Sequence, residues 1–111
     1  MTATSQSLIG QSRAVLDTPA LLVDLDILEA NIARIAKTCR DNGVGWRPHT
    51  KAHKTAEIAK LQLAAGAIGI ACAKVGEAEV MAAAGIRDIF IVNQIVGAEK
   101  VRRLVALIGP A

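Results

Sequence analysis

The sequence predicts an α/β chain built from strand-helix units whose strands run parallel. Three observations carry this. Of the 111 residues, 52% are apolar and 21% charged, the balance of a folded domain rather than a disordered one. The apolar share comes from 21 Ala, 12 Ile, 10 Leu and 9 Val, so good helix formers and good strand formers are mixed in one chain. Short apolar runs start near residues 21, 44, 67 and 88, each followed by a helical pattern, at a period of about 21–23 residues.

The elements follow in order. Residues 1–17 read as a leader, either flexible or holding an extra helix, and regular patterning starts at Thr18-Pro19. Leu21 to Leu25 is the first strand-type run. Asp26 then fits a helix N-cap, with Glu29 three residues on in capping-box spacing. Leu28, Ile32, Ile35 and Cys39 recur at helical spacing, Lys37 and Arg40 suit the C-terminal end, and Asn42-Gly43 closes the helix. Val44 to Lys51 is the second extended segment. Thr55 can cap a helix with Ile58, Leu61 and Ala65 on its apolar face, stopping at Gly66. Ile68 to Ala73 is the third strand, and Gly76 to Ala84 a short helix ending at Gly85, with Glu77 and Glu79 placed where a helix N-terminus favours negative charge. Asp88 to Asn93 is the fourth strand. Glu99 to Ile108 is the fourth helix, with Val101, Leu104, Val105 and Ile108 on one face.

Short connections between strand and helix imply a parallel sheet. Right-handed crossovers then leave two closures, a (β/α)8 barrel or a doubly wound open sheet. A barrel takes about 250 residues, so four βα units are about half of one. An open half-barrel would expose apolar strand edges, so 111 residues are expected not to be the whole functional protein.

Several classes of function fall away. The net charge of +3 comes without a Lys/Arg cluster of the size a nucleic-acid reader uses, and a single Trp, a single Phe and no Tyr give no platform for stacking bases. The longest apolar run, Leu63 to Ala73, has 11 residues, too short to span a bilayer. The polar N-terminus carries no apolar core of a secretory signal, and Cys39 and Cys72 stand apart as free thiols of a reducing compartment, which points to the cytoplasm.

In either closure, ligands sit at the C-terminal ends of the strands. The end of the second segment stands out: Arg47-Pro48-His49-Thr50-Lys51-Ala52-His53-Lys54 gathers five basic or titratable groups, both histidines among them. Positive neighbours favour the free amine of a lysine, so Lys51 suits Schiff-base chemistry with a carbonyl, and the cluster would attract an anionic cofactor or substrate. A surface lysine beside a turn is the bland alternative. His49 and His53 are four apart, a metal spacing on a helix, but Pro48 and the strand context argue against a helix and make satisfied or pocket-lining histidines the better reading. Pro48 also predicts that the strand turns irregular at its end. Lys74 reads as a turn lysine, and Asn93 and Gln94 either bind a ligand or cap the turn.

These residues carry a resemblance. Thr18 to Asp26 (TPALLVDLD), then Arg47 to Lys54 (RPHTKAHK), are similar to the fold-type III pyridoxal-phosphate (PLP) enzymes of the alanine racemase N-terminal-domain superfamily, in the branch of D-threonine aldolases and D-serine dehydratases. Ile58 to Gly97 resembles the aldolase side of that branch, and the similarity covers roughly residues 17–108. It implies the N-terminal half of a (β/α)8 TIM barrel over residues 18–111, after the leader 1–17, with the second half of the barrel and a C-terminal β-domain lying outside this sequence. It implies PLP held as a Schiff base by Lys51, with His49 and His53 lining the pocket. It implies a lyase for D-amino acids, foremost retro-aldol cleavage of β-hydroxy-D-amino acids to glycine and an aldehyde. A D-serine dehydratase, a racemase of the same superfamily, or a PLP-binding or inert chain without catalysis are the alternatives. Some family members use a divalent metal, whose ligands belong to segments outside this sequence; none is assigned here. No Tyr is available to hold PLP. A small D-amino acid is the expected partner, with neither nucleic acid nor membrane, and a homodimer is the expected assembly.

Overall fold

The computed structural model describes residues 8–109. Among the described residues there are four α-helices: α1 (Leu25–Asp41), α2 (Ala56–Ala64), α3 (Val75–Ala83) and α4 (Ala98–Ile108). Two strands, β1 (Ile70–Cys72) and β2 (Ile89–Ile91), pair in parallel, Ile70 opposite Ile89 and Cys72 opposite Ile91. The α3 helix between them is the crossover, so the predicted βαβ logic is realised here.

The second extended segment lies on the other side of β1. Trp46 O accepts from Ile68 N (2.9 Å), Pro48 O accepts from Ala71 N (2.8 Å), and His49 bridges Ala71 in parallel. Pro48 has no N–H to give to a ladder, so regular pairing stops there. The chain instead turns through a 3-10 helix, Thr50–Ala52. The irregular end expected from Pro48 is thus observed, but the strand over Val44 to Lys51 shortens to a single bridge.

The first predicted strand does not form. Residues 21–24 are unpaired and Leu21 is 96% exposed. A β-strand exists only by its partners, and this segment pairs with none among the described residues. The helix after it starts earlier than predicted. Asp24, not Asp26, is the N-cap of α1, and its Oδ1 accepts from Ile27 N at 3.1 Å. Gly43, Gly66 and Gly85 all have positive φ and close the first three helices as predicted. Of the leader, residues 1–7 lie outside the described residues. Residues 8–17 hold no α-helix, and a 3-10 turn lies at Arg13–Val15.

The core is Ala59, Ile70, Cys72, Ala78, Met81 and Ile86, with Ile89, Ile91 and Leu107 packed against it. It therefore sits between one face of the strands and helices α2, α3 and α4. Full burial of a side chain such as Ile70 or Met81 contributes about 1.5–3 kcal/mol. Small residues decide which helix faces turn inward. The predicted α2 face of Ile58, Leu61 and Ala65 is displaced: Ala59 is buried and Leu61 exposed, because Ala lets the helix approach the sheet closely. On α4, Leu107 packs inward, whereas Val101, Val105 and Ile108 of the predicted face are exposed. The α4 helix is tied to α3 by Arg103, whose guanidinium donates to both carboxylate oxygens of Glu79.

The opposite face of the strands is open. The register puts Ala71 beside Phe90 and His49 on this side, and Phe90 is 56% exposed. The Cα radius of gyration is 16.9 Å, against about 13 Å for a compact domain of about this length. Residues 8–109 thus form a wall with helices on one side and no helix packed on the other.

Candidate active site

The turn bearing Lys51 stands at the C-terminal end of this wall. Its conformation follows from four contacts. Thr50 is fully buried; its Oγ1 donates to Ala71 O (3.3 Å) and lies 3.4 Å from Cys72 Sγ. That nails the turn to β1. Lys51 N donates to His49 Nδ1 at 3.1 Å, so His49 caps the 3-10 helix. Lys54 N donates to Thr50 O at 2.7 Å and closes the turn with φ at +49°, an uncommon setting for a residue with a Cβ. His53 then fixes the entry to α2: its Nδ1 accepts from Thr55 N (3.0 Å) and its carbonyl accepts from the Thr55 hydroxyl (2.7 Å). Thr55 is the α2 N-cap residue, as expected, but its hydroxyl serves His53 and not the helix.

Burial divides the adjacent residues. Thr50 faces the core, His49 is half-buried toward the open side, and Lys51 is exposed. The Lys51 amine makes no hydrogen bond or ion pair among the described residues. Both imidazoles use Nδ1 as an acceptor of a backbone N–H, and His53 Nε2 is buried. The two rings therefore do not converge on a shared point. Burial pushes the His53 imidazole below its ordinary value. Burial likewise pushes the Cys72 thiol up, against the Thr50 hydroxyl. Among the described residues no group of three or more His, Cys, Asp or Glu is placed to hold a metal ion.

The remaining candidates resolve simply. Asn93 Nδ2 donates to Ala73 O (2.8 Å), which makes it a cap joining the ends of β1 and β2. Gln94 and Lys74 line a 330 Å³ hollow at those same ends, together with Lys100 and Arg103. Glu77 is 9% exposed and accepts from Ala73 N (3.0 Å), so it holds the start of α3 from within. A cavity of about 780 Å³ lies between α3, α4 and β2 on the helix side, and Lys51 does not line it.

Two residues were not readable as site residues in the sequence. Thr50 gives no signal as a single threonine. Arg47 is visible only as one of five basic neighbours, but its guanidinium spans the sheet: Nη1 donates to Asp88 Oδ1 (2.7 Å) and to Ile70 O (3.2 Å). The pair lies 41 residues apart in sequence, beyond any local pattern.

A parallel βαβ wall with a lysine turn at its C-terminal edge is the N-terminal part of a TIM barrel, and residues 23–109 match the family of the alanine racemase N-terminal domain. The chain belongs to that family. It is 48% identical over 95 residues to the D-threonine aldolase of an Arthrobacter species, a match covering 86% of this chain and 25% of that protein. Among solved structures it resembles the D-threonine aldolase from Filomicrobium marinum, with a TM-score of 0.80 and 47% identity over 82% of this chain and 25% of that one. It also resembles the D-threo-3-hydroxyaspartate dehydratase from Delftia sp. HT23, with a TM-score of 0.78 and 39% identity over 84% of this chain and 24% of that one. The chain thus spans about a quarter of the length of the relatives it matches.

Proposed function

We propose that this chain is the lysine-bearing part of a PLP-dependent lyase for D-amino acids, cleaving β-hydroxy-D-amino acids to glycine and an aldehyde. The observation that carries the reading is the Lys51 turn. Its backbone is held on both sides, by buried Thr50 and by His49, while its amine is exposed at the end of the wall where barrel ligands bind. A lysine so placed fits a carbonyl cofactor, because its exposed amine can be reached by one. When bound, PLP supplies the electron sink for the pair left at the α-carbon after bond cleavage.

The chain's own residues then have distinct tasks. Lys51 would hold PLP through its amine. Half-buried His49 holds the Lys51 amide through Nδ1 and lines the approach with the ring edge that remains. His53 anchors the far side of the turn to α2 and borders the pocket there. Residues 18–111 are read as part of a PLP-binding barrel preceded by a leader at 1–17. The two free thiols suit a cytoplasmic setting, and the assembled enzyme is read as a homodimer.

The similarity to a D-threo-3-hydroxyaspartate dehydratase favours one second reading, loss of the β-hydroxyl with release of ammonia and a keto acid. The test uses the protein as expressed from its gene, loaded with PLP. Borohydride reduction followed by peptide mapping is expected to place the pyridoxyl group on Lys51, and Lys51→Ala to lose both label and turnover. A label elsewhere in the wild type refutes the assignment. Product analysis with a β-hydroxy-D-amino acid separates the two readings: glycine and aldehyde for the first, ammonia and keto acid for the second.

A further inference from the structure

We infer that Arg47 and Asp88, with Gly69 between them, form a positioning bridge that sets where the Lys51 turn stands relative to the strands. The inference rests on the reading of Lys51 as the cofactor-bearing residue.

The register puts the three residues in one row across the wall. His49 opposes Ala71 and Ala71 opposes Phe90, so two steps back along each strand Arg47, Gly69 and Asp88 lie side by side on the open face. The Arg47 side chain runs over Gly69 to reach Asp88 Oδ1 at 2.7 Å. Only glycine allows that path. A Cβ at position 69 would collide with the Arg47 guanidinium and stand 2.7 Å from Asp88 Oδ1. Three positions therefore depend on one another: an arginine long enough to cross, a gap to cross through, and a carboxylate to receive it.

The bridge matters because the segment before Lys51 is otherwise loosely held. Pro48 offers no N–H, and the backbone contacts through Trp46 O and Pro48 O reach β1 alone. Arg47 is the contact of this segment that reaches past β1 to the start of β2, and its second bond, to Ile70 O, ties it to β1 on the way. It fixes the tilt of the segment against both strands, and the Lys51 turn begins three residues later. Arg47 touches the reacting atoms in none of this; it acts through the segment.

Electrostatics and positioning predict opposite signs for Asp88. PLP is anionic, so removing a carboxylate from this basic face would by charge alone tighten its binding. Positioning predicts that binding weakens. The experiment titrates PLP into the apo form of the protein as expressed from its gene, for wild type, Arg47→Met, Asp88→Asn, the double variant, Gly69→Ala and Arg47→Lys, and maps the borohydride-fixed pyridoxyl group in each. Thermal unfolding is followed alongside.

Arg47→Met and Asp88→Asn are each expected to weaken PLP binding about tenfold, the double variant no more than the worse single, as for two members of one network. Gly69→Ala should match them, and Arg47→Lys should recover part of the loss. Tighter or unchanged binding in Asp88→Asn overturns the inference, and so do single effects that simply add. A fall in thermal stability with wild-type PLP affinity and labelling also overturns it, since the bridge would then serve the fold alone. A wild type without label on Lys51 overturns the reading of Lys51 and this inference together, whereas a labelled wild type with indifferent variants overturns the bridge only.

Discussion

Replacing Thr50 with Val tests how the Lys51 turn is held. The side chains are similar in shape, so the change removes the hydroxyl and leaves little cavity. Thr50 is fully buried, and its Oγ1 donates to Ala71 O at 3.3 Å and sits 3.4 Å from Cys72 Sγ. Both contacts are long, so the bonds themselves are weak. The larger effect is the buried Ala71 carbonyl left without this donor, which costs about 1–3 kcal/mol. Burying a methyl in place of a hydroxyl offsets part of it, for a net loss of about 1–2 kcal/mol. Thr50→Ser keeps the hydroxyl and should lose only about 0.8 kcal/mol for the missing carbon. Urea unfolding is the assay, and with a slope of about 2 kcal/mol per M the Val variant shifts the midpoint down by roughly 0.5–1 M. PLP affinity should fall along with stability in Thr50→Val and hold in Thr50→Ser. A Val variant as stable as the wild type would show that the hydroxyl does not pin the turn, and that packing alone does.

Two further expectations come from the titrating groups. Half-buried Cys39 should react with a thiol reagent well before Cys72, which is buried with its thiol pushed up by burial; equal rates would contradict the placement of Cys72 in the core. Stability should fall in two stages on acidification. His53 sits below its ordinary value of 6.5 in the fold, so its contribution is complete above that pH and is lost as pH drops beneath it. Glu79 is held below its ordinary 4.5 by hydrogen bonds from Arg103, so that pair contributes above about pH 4.5 and is lost as pH falls through the depressed value. Urea midpoints measured against pH should lose the first stage in His53→Gln and keep the second. A flat response between the two values would remove the His53 assignment.

Local signals in the sequence located most of the helices and the turn. Positive-φ glycines at 43, 66 and 85 end helices where they were expected, and the apolar runs around Ile70 and Ile89 are the two strands that pair. The rest depended on partners that local patterns cannot name. Leu21 to Leu25 has strand composition, but strand structure needs a neighbour. The capping error at Asp26 arose because Asp24 and Asp26 are both acceptable caps, and the choice between them is made where the extended run stops. The faces of α2 and α4 were misjudged because size outweighed hydrophobicity: Ala59 permits a close approach that Leu61 would block. The irregular turn at Lys51 was legible from Pro48, whereas the Thr50 anchor and the Arg47–Asp88 bridge are contacts across long sequence separations.

The division of burial around the Lys51 turn bears on which changes in the gene the protein can absorb. His49, Thr50 and Lys51 face, in turn, the open side, the core and solvent, and their order is counted from the Ile68–Trp46 and Ala71–Pro48 hydrogen bonds. Inserting or deleting one codon between Trp46 and Thr50 would shift that count and carry a neighbour into the slot of Thr50. Exposed Ala52 could change identity and leave the count intact. The stretch is therefore constrained in length as well as in letters, so reading-frame-preserving indels should be purged here even where an exchange at Ala52 survives.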